Sequence, residues 1–191
     1  MNAILDRIAR DHRAAVEGML TANADAIVTL AHRCAVAVKQ GNKLMFCGNG
    51  GSACDAMHIA GEFVGRFVND RRALPALALT ADSGILTAIA NDYSYAEVFS
   101  RQVEALGRAG DVLIALSTSG KSPNVLRALE AARAQGITTA LFTGEKGRGG
   151  PAVADFTLIA PSAITAHIQE SHMVVLHGLA SLIEAELFPA V

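Results

Sequence analysis

The sequence lacks several features that mark specialised classes of protein. It has no tryptophan, only 5% aromatic residues and three cysteines among 191 residues. So few cysteines, odd in number and without framework spacing, exclude a disulfide-stapled secreted domain and favour reduced thiols in a cytoplasmic protein. No apolar run approaches the roughly 20 residues that a helix needs to span a bilayer. The charged N-terminal residues are unlike a signal peptide.

An excess of charge of either sign is also missing. The chain carries 16 basic and 18 acidic residues, a net charge of −2, and the basic residues form no stripe. Because nucleic-acid-binding proteins concentrate positive charge on one face, the sequence predicts no nucleic-acid partner. Apolar residues nevertheless make up 51% of the chain. With no membrane segment predicted, this excess indicates buried interfaces between subunits.

Hydrophobic periodicity predicts an α/β fold. Helical patterns occupy residues 3–20 and 24–39, and from residue 43 onward strand-like runs alternate with helical ones. Such alternation indicates a parallel sheet covered on both faces. We therefore expect one domain over residues 1–191, with two N-terminal helices and a doubly wound, five-stranded parallel sheet of flavodoxin-like order. The predicted strands are 43–47, 75–80, 111–117, 137–143 and 155–160; the helices among and after them are 53–67, 83–90, 94–107, 122–135 and 167–187; residues 144–150 are a predicted flexible surface loop.

Two loops rich in glycine and hydroxyl residues follow predicted strands. The first is 48–52 (GNGGS) and the second is 117–122 (STSGKS). Where a strand turns into a helix, free backbone N–H groups and the positive end of the helix dipole favour an anion. In a doubly wound sheet, ligands bind beyond the carboxyl ends of the strands, where the strand order reverses. Two such loops in one sheet therefore favour a pocket for a sugar phosphate.

Several polar residues lie on helices that are otherwise apolar. His58 and Glu62 are four residues apart, which places them on one face of a helix. Gln169 and His177, on the last helix, are eight residues apart. Polar groups in an apolar helix need partners, and a metal ion or a bound sugar would supply them. These side chains suit a first-row divalent metal, of which zinc is one candidate. The spacing also allows an exposed polar pair and satisfied core histidines.

Four stretches of the sequence are together highly specific for one family. They are CGNGGSACDAMHIAGE, TAIANDYSY, FSRQVEALGRAGDVLIALSTSGKSPN and IQESHMVVLH. With nearly the whole chain, they resemble the phosphoheptose isomerases of the sugar isomerase (SIS) domain group. The resemblance implies an enzyme that converts D-sedoheptulose 7-phosphate to D-glycero-D-manno-heptose 7-phosphate, on the way to heptose of bacterial surface polysaccharide. It also implies a cytoplasmic homotetramer with one zinc ion per subunit, in which residues 1–41 help to pack the oligomer.

The same resemblance implies roles for residues that match the family's motifs. The implied zinc ligands are His58, Glu62, Gln169 and His177. Isomerisation through an enediol needs a base and an opposed acid, and we assign Glu62 to proton transfer between carbons and His177 to proton delivery from the other side. The implied substrate contacts come from both loops and from three further places: Asn49, Gly50, Gly51, Ser52, Glu62, Asn91, Asp92, Ser117, Thr118, Ser119, Ser122 and Gln169.

Other members of the SIS group offer alternative functions. A non-enzymatic SIS protein that associates with the bacterial replication initiator shares the architecture. Such proteins lack the acid at the position of Glu62 and the histidine at that of His177, so the enzyme is favoured. An isomerase for another sugar phosphate stays open, because no residue pattern counts carbon atoms. An SIS-containing transcription regulator would need a helix-turn-helix domain, for which the chain has no room.

The last predicted helix is apolar around most of its circumference, which is typical of a helix buried on all sides. We expect it to pack at the centre of a homotetramer with each active site beside a subunit boundary. A charge at Leu179 should then destroy both assembly and activity. Gln169 and His177 lie about 12 Å apart along a straight helix. They can share one ion if the helix begins after Gln169, if it bends, or if two chains supply the ligands.

Overall fold

Helices and strands alternate along the computed structural model, which describes residues 2–189. The strands are β1 (Leu44–Gly48), β2 (Ala76–Ala78), β3 (Val112–Ser117), β4 (Thr138–Gly144) and β5 (Phe156–Ala160). The helices are α1 (Ala3–Ala22), α2 (Ala24–Lys39), α3 (Gly51–Val64), α4 (Ser83–Asp92), α5 (Ser100–Leu106), α6 (Pro123–Ala134) and α7 (Thr165–Leu187). Short 3-10 turns cover Tyr95–Glu97 and Glu145–Gly147. Within residues 2–189, no helix has the length and hydropathy needed to cross a membrane.

The five strands form one parallel sheet in the order β2-β1-β3-β4-β5. This arrangement confirms the doubly wound, flavodoxin-like order predicted from the sequence. The strand order reverses between β1 and β3, and ligands of such sheets bind beyond the carboxyl ends of the strands at that point. The two glycine- and hydroxyl-rich loops follow β1 and β3, so they border the same crevice.

Alternate side chains of the central strands pack on opposite faces of the sheet. Leu44 and Phe46 join the core that includes α1, α2, α3 and α7, whereas Met45 and Cys47 join the core beneath α5 and α6. All four side chains are fully buried. Because both faces are covered, these strands consist of continuous apolar residues. Cys47 thus fills the core, and burial raises the pKa of its thiol to about 12.

Three predicted elements differ from the structure. The helix predicted to reach residue 67 ends at Val64, because the chain folds back and the N–H of Leu74 donates to the carbonyl of Phe63. The helix predicted over residues 94–107 is divided into a 3-10 turn and α5. The loop predicted over 144–150 is not wholly on the surface: Gly144 ends β4, and Gly147 is buried.

The last helix is covered by its own chain more fully than the sequence analysis expected. It packs against α1, α2 and α3 and against the neighbouring strands β4 and β5. Leu179 is only 1% exposed within the single chain. A charge there would disrupt the core of each subunit and so would not test an interface, and the homotetramer stays a prediction. Val174 and Leu182 are 37% and 39% exposed, and they define the open face of α7.

Candidate active site

Three chemically active side chains converge where α3 lies beside α7. Nε2 of His58 is 3.0 Å from Nε2 of His177 and 3.3 Å from Oε1 of Glu62. One ligand atom from each residue lies within 4.8 Å of the other two. This confirms that His58 and Glu62 share a helix face. Within residues 2–189, no other group of three His, Cys, Asp or Glu side chains is close enough to hold a metal ion. We call these residues the His/Glu cluster.

Glycines in the first loop allow α3 to begin close to α7. Gly50, at the N-cap of α3, has a φ of 57°, in the left-handed region that glycine adopts without steric cost. A β-carbon on Gly51 would stand 2.5 Å from Nε2 of Gln169, so only a glycine lets that amide rest on the start of α3. Because α7 begins at Thr165, the explanation that the helix begins after Gln169 is excluded. The role of Gln169 as a fourth ligand stays a prediction.

Two side chains that the sequence analysis missed hold Asn49 in the first loop. Nδ2 of Asn49 donates to Oδ1 of Asn124 at 2.9 Å, and Nδ2 of Asn124 donates back to Oδ1 of Asn49 at 2.8 Å. The Tyr95 hydroxyl donates to the same Oδ1 at 3.0 Å. With Ser122 and Pro123, these residues line a pocket of about 320 Å³ at the start of α6. The reciprocal amide pair thereby links the first loop to the start of α6.

The second loop presents hydroxyl groups at the N-terminus of α6. The hydroxyl oxygens of Ser117 and Ser122 are 3.0 Å apart, which closes the loop on itself. Oγ of Ser119 accepts the N–H of Lys121 at 3.2 Å. Thr118, Ser119 and Ser122 are half-buried, so they can still meet a ligand. Hydroxyl donors at a helix N-terminus suit a phosphate.

The helix α7 runs from these loops to the His/Glu cluster. Near its start, Ile168 fills the space beside Gly144, whose N–H donates to the carbonyl of Thr118. Gln169 follows directly, and His177 comes eight residues later, about 12 Å along the helix. The candidate site therefore has a hydroxyl-rich end at the loops and a His/Glu end farther along α3 and α7.

The remaining predicted substrate contacts, at Asn91, Asp92 and Ser52, make local hydrogen bonds. Asn91 and Asp92 are exposed at the end of α4, where Nδ2 of Asn91 donates to Oδ1 of Asp92 at 2.9 Å. Ser52 is only 3% exposed, and its N–H donates to the carbonyl of Asn49 at 3.1 Å. Their contacts with substrate stay predictions.

Two buried polar atoms near the site lack a hydrogen-bond partner among the residues described, namely Oδ2 of Asp55 and Nδ1 of His172. Burial raises the pKa of Asp55, and the nearby His58 partly opposes that shift. Burial lowers the pKa of His172 to about 4, so its imidazole is neutral and donates from Nε2 to the carbonyl of Thr143 at 3.3 Å. His172 is thus a core histidine, the alternative that the helix pattern had left open.

Known proteins resemble this chain in both sequence and fold. The family described as SIS domain matches residues 9–144. A phosphoheptose isomerase of Burkholderia pseudomallei (strain 1710b) is 54% identical over 159 residues, which cover 83% of this chain and 81% of that protein. One of Nitratidesulfovibrio vulgaris is 52% identical over 166 residues, covering 87% and 80%. The structure of phosphoheptose isomerase from Neisseria gonorrhoeae has a TM-score of 0.86 at 36% identity and covers 96% of this chain and 100% of that chain. The chain therefore belongs to the phosphoheptose isomerase family of SIS-domain proteins.

Proposed function

We propose that the chain is an aldose–ketose isomerase that converts D-sedoheptulose 7-phosphate to D-glycero-D-manno-heptose 7-phosphate. The observation that carries the proposal is the convergence of His58, Glu62 and His177 along a crevice whose other end is lined by hydroxyl groups. A sugar phosphate needs both ends, neutral donors for its phosphate and an acid–base pair for its reacting carbons. The name of the relatives at 54% and 52% identity supports the choice of substrate.

The acid–base chemistry is assigned to Glu62 and His177. Isomerisation of the ketose moves a proton from the terminal hydroxymethyl carbon to the neighbouring carbonyl carbon through an enediol. The Glu62 carboxylate accepts that proton and returns it to the neighbouring carbon. His177 donates a proton to the former carbonyl oxygen and accepts one from the terminal hydroxyl, so that protons balance. Each transfer needs the group within hydrogen-bond reach of the atom it serves, and the close approach of Glu62 and His177 to one another supports the assignment.

The donor atoms of the cluster also suit a divalent metal ion. Zinc binds histidine nitrogen and carboxylate oxygen at about 2.0–2.2 Å, so tetrahedral ligand atoms stand about 3.4 Å apart. The spacings of 3.0 Å and 3.3 Å around Nε2 of His58 fit that geometry. We assign His58, Glu62 and His177 as ligands of zinc, with Gln169 completing the set. A zinc ion bound there would polarise the carbonyl group of the substrate.

The non-reacting end of the substrate is assigned to the two loops. Hydroxyl groups of the second loop bind the phosphate, aided by the N-terminus of α6. Binding energy from that remote end holds the reacting carbons at the His/Glu cluster. The phosphate contacts are assigned to Ser52, Ser117, Thr118, Ser119 and Ser122. The other proposed substrate contacts are Asn49, Gly50, Gly51, Glu62, Asn91, Asp92 and Gln169.

We also propose a cytoplasmic homotetramer, in which the N-terminal helical extension and the open face of α7 pack against other subunits. Residues 3–10 of α1 are exposed throughout, and they include Ile4, Leu5 and Ile8 at 59%, 56% and 45% exposure. Contiguous apolar surface of this kind marks an interaction site. Sugar phosphates are metabolites of the cytoplasm, which supports that location.

Replacing Leu182 by glutamate tests the assembly. Its side chain lies on the open face of α7, so the charge should separate subunits while each chain stays folded, and activity should fall with the tetramer. Ala134→Glu, at an exposed position on α6 on the opposite side of the sheet, is the control. Light scattering measures the mass and an isomerase assay the activity. A fully active monomer would contradict the proposal.

Purified protein and sedoheptulose 7-phosphate, with and without a chelator, test the function. We expect conversion to the heptose phosphate, identified by NMR, with loss of activity in chelator and recovery with added zinc. Fructose 6-phosphate, offered in parallel, tests the alternative that another sugar phosphate is the substrate. Failure to turn over any ketose phosphate would overturn the proposal and favour the non-enzymatic alternative.

A further inference from the structure

An irregular segment covers one face of the imidazole of His177. Residues 65–72 follow the end of α3, and they carry Phe67, whose ring is stacked on that imidazole. The ring centroids are 5.5 Å apart and the planes differ by 13°. His58 meets the same imidazole edge-on, with centroids 5.1 Å apart and planes at 73°. The His177 ring therefore has one neighbour on its face and another at its edge.

The backbone of that segment is folded around the carboxylate of Glu184 on α7. Its oxygens accept the backbone N–H groups of Phe67 and Val68 at 3.3 Å each and that of Asn69 at 3.2 Å. Nε of Arg71 donates to Oε1 of the same carboxylate at 2.7 Å. The side chains of Arg71 and Glu184 are each only 2% exposed. The Glu184 carboxylate thus holds Phe67 directly, through the backbone N–H of Phe67.

Arg71 extends this network to the backbone of the candidate base. Nη2 of Arg71 donates to the carbonyl of Glu62 at 2.8 Å, and Nη1 donates to that of Phe63 at 2.9 Å. The last carbonyls of a helix have no partner within it, and a cation is favourable there. Burial acts to raise the pKa of Glu184, but the Asn69 N–H and the Arg71 guanidinium outweigh it, so that this pKa lies below its ordinary value. The carboxylate therefore stays ionised and keeps its donors.

We propose that Phe67 is a positioning residue that fixes the plane of the His177 imidazole, and that the buried pair of Arg71 and Glu184 holds Phe67 in place. This inference rests on the proposed function, in which His177 moves a proton. A buried ion pair is a poor source of stability, because desolvation offsets its attraction. Here its hydrogen bonds converge on the backbones of Glu62 and Phe67, which gives the pair a geometric role.

Replacing Phe67 by leucine tests the proposal, because leucine fills space but has no flat face to orient a second ring. We expect kcat to fall about 10-fold while KM for sedoheptulose 7-phosphate stays within about twofold, since misplacement of a catalytic group affects the chemical step. Phe67→Tyr keeps the ring and should retain the activity of the wild type. Val68→Ala, at the neighbouring and 68% exposed position, is the control and should leave kcat unchanged.

An NMR measurement separates this inference from the proposed function. In protein labelled at histidine Cε1, the His177 signal is identified by its loss in His177→Gln. That signal should carry a ring-current shift that disappears in Phe67→Leu and returns in Phe67→Tyr. Glu184→Gln should lose the same ring-current shift. If Glu184→Gln does not fold, the comparison of Phe67→Leu with Phe67→Tyr is used alone.

Three outcomes would overturn the inference. They are an unmoved His177 signal in Phe67→Leu, an unchanged kcat in that variant, and a loss of kcat that Phe67→Tyr shares. Absence of turnover in the wild type would instead overturn the proposed function. The NMR signal of Glu184→Gln, which keeps the Phe67 ring, then still decides whether the pair of Arg71 and Glu184 holds that ring on the imidazole.

Discussion

The two ends of the candidate active site are built from different parts of the fold. At the His/Glu end, His58 and His177 project from two helices that lie far apart in the sequence, and their spacing depends on how those helices pack. At the hydroxyl-rich end, the second loop closes on itself through the 3.0 Å contact between Ser117 and Ser122. The first loop depends on more distant contacts, such as that between Asn49 and Asn124. Local sequence therefore shapes the second loop, whereas tertiary packing shapes the His/Glu end of the candidate site.

This difference predicts different kinetic consequences. A group that acts only on the reacting carbons contributes in the transition state, so its loss lowers kcat. A group that binds the phosphate contributes equally before and during the reaction, so its loss raises KM. Substitutions at the two ends should accordingly separate the two constants.

Glu62→Gln should have the largest effect, because it removes the base and preserves the shape of the side chain. We expect kcat to fall by about 1,000-fold or more, while calorimetry shows sugar phosphate binding close to that of the wild type. Glu104→Gln, at an exposed position on α5, is the control. Retention of even about a tenth of the wild-type turnover would remove Glu62 from its catalytic role.

Gly51→Ala tests whether the packing of the first loop against Gln169 affects catalysis at the His/Glu cluster. The added β-carbon would stand 2.5 Å from Nε2 of Gln169 and displace that amide. We expect kcat to fall about 100-fold with the melting temperature unchanged. Gly61→Ala, on the same helix and facing open space, should keep its activity. If Gly51→Ala lowers kcat equally in a Gln169→Ala background, the effect does not pass through Gln169.

Acid should weaken the hydrogen bond that joins α7 to the end of β4, between His172 and the carbonyl of Thr143. His172 donates that hydrogen bond, and burial lowers the pKa of its imidazole from 6.5 to about 4. Between those values the unfolded chain binds more protons than the folded one. The free energy of unfolding therefore falls as the pH drops through this range, by about 2 kcal/mol from about pH 7 to about pH 5.

His172→Gln checks this prediction, because it keeps a donor for the Thr143 carbonyl and removes the titrating group. Urea unfolding at the two pH values, at one protein concentration, should show a smaller difference for the variant than for the wild type. Equal differences in the two proteins would show that His172 is not the cause.

Ser119→Ala should have the smallest effect, and that effect should be on KM rather than on kcat. Loss of one donor to a charged phosphate should raise KM about 10-fold and leave kcat unchanged. Ser181→Ala, on the exposed side of α7, should change neither. A fall in kcat at unchanged KM would place Ser119 at the reacting end and break the comparison.

Most strands and helices were predicted from local sequence, although the end of α3 and the division of residues 94–107 were not. Side-chain contacts between distant residues were not predicted. The alternation of strands and helices predicted the sheet, and the spacing of His58 and Glu62 predicted their shared face. The contact between Arg71 and Glu184 joins residues 113 positions apart, and no periodicity encodes such a pair. A charged Glu184 in an apolar helix does indicate that a partner must exist, but it does not identify the partner.

Leu179 shows a second limit of prediction from periodicity, which concerns what covers an apolar helix. The apolar circumference of α7 indicates correctly that the helix is covered. Periodicity does not distinguish cover by the same chain from cover by another subunit. The 1% exposure of Leu179 within one chain answers that question for its own position, and the more exposed Leu182 becomes the better place to look for an interface.

Of the three cysteines, two are buried and Cys54 is exposed, so that Cys54 can be labelled selectively. Cys34 and Cys47 are fully buried, and their pKa of about 12 keeps them as unreactive thiols at neutral pH. Cys54 is exposed and lies four residues before His58, on the same face of α3. A thiol-directed fluorophore or fluorine probe should therefore attach at Cys54 alone. The unmodified sequence thus offers a single-site reporter of ligand arrival beside the reacting end, without engineered cysteines.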